Sequence, residues 1–197
     1  MTVRDLPPAA APEIRKAGAL ITNFPDAAFV FTLVFAACLF GIGTRTAGFL
    51  AAFWPANALL LGLFVRHPRF ATPVGWLSAL AAYIAADLVT GSSVDRTLLL
   101  TCGNLVPVGV GYGLYTRVRK DDRRLKRPFS VLYLTLIVAA AAASSSVIGA
   151  IANPLMFGGS ALEGMLFWSV TEFVNFVVLL PVALTVTMPR WPTRASL

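Results

Sequence analysis

Polar breaks divide this chain into long apolar runs. Those from Ala27 to Gly43, Ala51 to Val65, Phe70 to Val89, Thr97 to Tyr115, Phe129 to Asn153 and Gly164 to Met188 carry few charges. A helix needs about 20 mostly apolar residues to cross the hydrocarbon core of a bilayer. Backbone N–H and C=O groups in lipid must bond within their own segment, and these runs are too evenly apolar to be the alternating strands of a membrane barrel. The pattern predicts an all-α fold, a polytopic transmembrane helical bundle of about six spans. The second run is short because Arg45 and the Trp54-Pro55 pair crowd its beginning. Pro55 suits a first helical turn, where its missing N–H would have no partner. A tilted or half-inserted segment is the alternative there.

The organisation that follows is a cytoplasmic N-terminal segment at residues 1–23, a bundle at residues 24–188 and a short cytoplasmic tail at residues 189–197. Arg15 and Lys16 ahead of an apolar run also satisfy part of a secretory signal. No small-residue cleavage site follows Gly43, however, and further spans come at once, so the first run is read as a span.

Composition agrees with that reading. Of the 197 residues, 57% are hydrophobic and 13% charged, where a soluble domain carries about 25% charged residues. The net charge of +7 raises the question of nucleic acid. The cations are gathered in particular loops, which is how topology is encoded in membrane proteins, so a nucleic-acid partner is not expected. Seven of them, Arg117, Arg119, Lys120, Arg123, Arg124, Lys126 and Arg127, share one loop. Arg15, Lys16, Arg66, Arg69, Arg190 and Arg194 fall on the same side, while the opposite loops hold little but Arg45 and Arg96. The positive-inside rule then places both termini in the cytoplasm. The basic loop also suits contact with anionic lipid headgroups.

Cys38 and Cys102 lie in apolar runs without metal or disulfide spacing, and His67 is the sole histidine, in a basic loop. No metal or cofactor is expected, and paired-histidine haem ligation is excluded. The chain has no nucleophile elbow, phosphate loop or ligand cluster, so no enzyme activity is expected. Gly109 and Gly113 form a small-xxx-small pair, and Ala139 to Ser146 give the fifth run a nearly bare surface. Both are expected to be helix-packing faces.

Ionisable groups inside a span cost about 2.5–3.5 kcal/mol on insertion scales and mark functional sites by default. Asp87 and Glu172 are the two here. With the topology above, Asn57, Asp87, Asn104, Asn153 and Glu172 all fall in the outer half of the bilayer. Trp168, Thr171, Glu172 and Asn175 recur at the spacing that puts them on one helix face. The expected site is a small polar cavity open to the outside, formed by Trp54, Asn57, Asp87, Asn104, Trp168, Glu172 and Asn175. The plainer reading makes the asparagines interhelical hydrogen bonds and the tryptophans an interfacial belt.

Three stretches together resemble the first type of bacterial membrane-associated sensor (MASE) domain. They are Phe53-Trp54-Pro55-Ala56-Asn57-Ala58-Leu59-Leu60-Leu61, then Ala86-Asp87-Leu88 leading to Gly103-Asn104-Leu105, then Trp168 followed by Glu172, Asn175 and Pro181. The likeness runs from about Trp54 to Val186. Departures from the family pattern are Asn175 for a Gly, Glu172 for an Asp, Pro107 where an acidic residue is usual, and fewer spans. The resemblance implies a sensory input module of the bacterial cytoplasmic (inner) membrane, as found ahead of diguanylate cyclases and sensor kinases. No cyclase, kinase or phosphodiesterase motif appears, which points to a truncated or free-standing input module. Such a module would bind a small ligand or a membrane-protein partner through the cavity, and a homo-oligomer is compatible with it. The alternative is a transport component, the substrate-binding subunit of a vitamin-type uptake system.

Overall fold

The computed structural model describes the backbone of residues 11–45 and 51–186, and side chains from Phe24 onward. Among the described residues every regular element is helical. In chain order they are α1 (Ala11–Gly43), α2 (Pro55–Arg66), α3 (Pro73–Val89), α4 (Val94–Tyr115), the single turn α5 (Lys120–Arg123), α6 (Ser130–Ala152) and α7 (Ala161–Thr185). A π-helical turn, Asn153–Phe157, continues α6.

Four segments are long and apolar enough to cross a membrane: Phe24–Gly43, Val94–Tyr115, Ser130–Phe157 and Ala161–Thr185. The chain is an integral membrane protein. Helices α2 and α3 are apolar but shorter, at 12 and 17 residues. At about 1.5 Å of rise per residue, α2 alone does not traverse a hydrocarbon core of about 30 Å. The second run is short because Pro55 begins the helix at N1, with Trp54 as N-cap, and His67 ends it. Residues 189–197, read as a tail, and the first ten residues lie outside the described set.

Helix α2 is the centre of the bundle. It packs against α1, α4 and α7, while α4 and α7 both pack against α6, and α1 and α4 against α3. Ten of its residues are buried, with Leu60, Leu61 and Phe64 fully enclosed. Gly111 lets α4 approach, since a Cβ there would come 2.7 Å from Leu61 Cδ2. Gly62 does the same for α7, where a Cβ would overlap the Ala183 side chain.

The face of α4 expected to pack is not the one that does. Gly109 has open space where a Cβ would go, and Gly113 meets only the Arg117 side chain at 3.9 Å. The buried face carries Gly103, Pro107 and Gly111 instead. The closest crossing lies between α6 and α7, where Gly149 and Gly164 set backbone against backbone. On α6 the buried positions Ala141, Ala142 and Ser145 do come from the expected bare stretch.

The basic loop is structured. Asp122 is buried and accepts a 2.9 Å hydrogen bond from the Ser130 hydroxyl, with the Arg127 guanidinium 3.6 Å away. Arg123 donates to the Val118 and Thr116 carbonyls. His67 is held below its ordinary pKa by partial burial and by Arg66, Arg69 and Arg124. Phe64, near the end of α2, meets Tyr112, near the end of α4, with ring centroids 6.1 Å apart, which puts the α2–α3 loop and the basic loop at one end of the bundle. Arg69 lies 3.9 Å from Asp26, which brings that part of α1 to the same end.

Candidate functional site

At the opposite end, where α2 begins, the polar residues of four helices meet. Asn57 occupies the first turn of α2, a position it reaches because the Trp54-Pro55 pair starts the helix within the protein rather than at its surface. Its carbonyl oxygen accepts a 2.7 Å hydrogen bond from the Tyr83 hydroxyl of α3. Its amide nitrogen donates to Asn104 Oδ1 of α4 at 3.2 Å and to Glu172 Oε1 of α7 at 2.8 Å. One side chain thus uses its acceptor and both amide hydrogens to tie α2 to three neighbours. All four residues are buried. A buried polar group left unpaired costs about 1–3 kcal/mol, so this junction favours one packing of the helices.

Asn175 makes a second tie. Its side-chain oxygen accepts the Trp54 backbone N–H at 3.0 Å, and its nitrogen donates to the Ala52 carbonyl at 2.9 Å and to Thr171 of its own helix at 2.7 Å. The segment entering α2 is therefore latched to α7 one turn beyond Glu172. The Trp54 ring covers Gly41, where a Cβ would come 2.5 Å from the indole. Trp168 lies against Gly103 and Gly149, both of which have no room for a side chain on that face.

Between these groups lies a cavity of about 40 Å³ whose lining includes Arg45, Trp54, Asn104, Trp168, Glu172 and Asn175. By volume it accommodates a few waters or a small head group. Arg45 stacks over the Trp54 ring at 5.5 Å and lies 3.6 Å from Asp87 Oδ1. Among the described residues neither Arg45 Nε nor Trp54 Nε1 has a hydrogen-bond partner, although both atoms are buried.

Of the seven residues read as a site, six converge: Asn57, Asn104 and Glu172 through direct bonds, Asn175 and Trp54 through the latch, and Trp168 through the cavity wall. Asp87 stands outside the cavity lining and connects to it through Arg45. Asn153, also placed at this end, donates to the Ser160 carbonyl at 2.9 Å and braces the turn before α7. Two residues escaped the sequence reading. Tyr83 looked like one more aromatic on an apolar helix, and nothing in its spacing distinguishes it. Arg45 carries a signal, being with Arg96 one of few cations on that side, but the sequence ties it to topology and to the short second run rather than to the site. Among the described residues, no cluster of His, Cys, Asp and Glu able to hold a metal is present.

Comparison with known proteins gives one match and two blanks. Nothing among the curated proteins or the solved structures matches the chain. A family model described as MASE1 matches residues 26–196.

Proposed function

The chain belongs to the MASE1 family, and from that premise we propose that this membrane sensory domain reads its input at the Glu172 cavity and reports it through the Asn57 junction. The observation that carries the reading is that a single amide holds α2, α3, α4 and α7 together beside a cavity that its partner Glu172 lines. A ligand or a partner's side chain entering there competes for the same hydrogen-bonding groups. Occupancy then shifts helix packing to the degree that the two packings differ in affinity for the occupant. Six crossings of the inner membrane, with both termini and the basic loop in the cytoplasm, are the topology this reading adopts. The lone Arg45 and Arg96 at the cavity end, against the arginines at the other, support it. The role is that of a binding module rather than a catalyst.

Native mass spectrometry of the purified chain in mild detergent tests the reading. A small molecule or protein partner is expected on the wild type and absent from Glu172→Ala and Asn104→Ala. If the variants keep the same bound species, the cavity is not where the input is read.

A further inference from the structure

Three charged side chains meet at the cavity end: Asp87, Glu172 and Arg45. Asp87 and Glu172 are 3% and 4% exposed. Among the described residues Arg45 is the cation that lines the cavity, and its ion pair is with Asp87. One guanidinium neutralises one carboxylate. Among the described residues Glu172 is left with the Asn57 amide on Oε1 and no cation within ion-pair distance. A buried carboxylate without a counter-charge takes up a proton or a cation, because desolvation penalises its free charge. The walls favour a cation. Trp54, Phe167 and Trp168 line the space that Glu172 lines, and aromatic faces beside a carboxylate attract organic cations, as Arg45 over Trp54 already shows.

We propose that the Glu172 cavity is a binding site for a small organic cation, an ammonium head group held by the Glu172 carboxylate between aromatic walls, with Arg45 as the intramolecular competitor that Asp87 holds away. This rests on the cavity being the input site and adds the charge of what it receives. The cavity volume of about 40 Å³ limits the buried part to a methylammonium-sized head, any larger remainder projecting through the mouth.

The arrangement has a signature that a purely structural role for these residues lacks. Arg45→Gln removes the competitor and is expected to tighten binding several-fold. Asp87→Asn frees Arg45 to turn toward Glu172 and is expected to weaken it several-fold. Glu172→Gln is expected to abolish it, and Trp76→Phe, away from the cavity, to leave it unchanged.

The test is a tryptophan-fluorescence titration of the full chain in nanodiscs at constant pH and ionic strength, with methylammonium as probe and acetate and methanol as anionic and neutral counterparts. A thermal melt of each variant checks folding. Saturable response to methylammonium alone, with opposite shifts for Arg45→Gln and Asp87→Asn, is the expected result. A response to acetate, to methanol or only to a change in pH would overturn the cation assignment while keeping the cavity as an input site. Equal methylammonium affinity in folded Glu172→Gln would overturn it as well. No response to any probe would overturn it, and the native mass spectra then decide whether the cavity reading falls too.

Discussion

At the scale of single residues, the weight of the site falls on Asn57 because it hydrogen-bonds Tyr83, Asn104 and Glu172 together. Asn57→Leu keeps the volume and strands three buried polar groups. It is expected to lower unfolding stability by at least about 2 kcal/mol, where Tyr83→Phe, which removes one hydrogen bond, costs about 1 kcal/mol. Denaturation in mixed micelles measures both. Equal losses would mean that the junction is not organised around Asn57. His67 supplies a pH test at the other end. Its folded pKa lies below the unfolded value of about 6.5, so the folded chain binds fewer protons in that range. Its contribution is fully present above pH of about 6.5 and lost as pH falls through the folded pKa. His67→Gln is therefore expected to melt less pH-dependently than the wild type between pH of about 7.5 and 5, and an unchanged slope would remove His67 from the account.

At the scale of helices, the contrast between two glycine pairs shows what spacing conveys and what it omits. Gly109 and Gly113 have the small-xxx-small pattern but face away from the described neighbours. Gly149 and Gly164 lie on different helices, so no spacing rule links them, and they make the tightest crossing. Periodicity identifies faces of one helix; which face meets a partner depends on the other helices, and that information is nonlocal. Gly164→Ala would drive a Cβ into the Gly149 carbonyl and Asn153 Cβ. It is expected to destabilise the fold by about 1–3 kcal/mol, whereas Gly109→Ala is expected to be neutral or slightly stabilising, as alanine is the better helix former. Thermal melts of the two variants in the same detergent settle the comparison. Legibility followed the same line for the site. Asn57, Asn104 and Glu172 were readable because polar groups in apolar runs are costly and need a reason. Tyr83 was not, because its hydroxyl sits on a body that lipid and protein interior both accept.

For the molecule as a whole, the two ends differ in kind. One holds the structured basic loop, with His67 and Arg69 beside it, and the other holds the cavity. The proposed topology of six crossings predicts that Ser92→Cys is labelled by an impermeant maleimide in intact cells and Arg119→Cys only after permeabilisation, both in a background lacking Cys38 and Cys102. Labelling of both in intact cells would contradict an even number of crossings with the basic loop inside. The composition made the membrane legible at once, and the loop charges suggested the orientation. The size of α2 was harder to read, since an apolar run looks the same whether lipid or protein surrounds it.

That enclosure bears on how the chain is assembled. A helix of 12 residues with ten of them buried has almost no surface on which the bilayer can act, and it is too short to be recognised as a span on its own. Its entry into the membrane is expected to depend on the helices that wrap it. Because α7 supplies Glu172 and Asn175 to hold both Asn57 and the segment leading into α2, the centre of the protein is complete only once α7 is in place. Until α7 arrives, Asn57 is a polar group waiting in an unfinished interior, and closing that interior falls to α7.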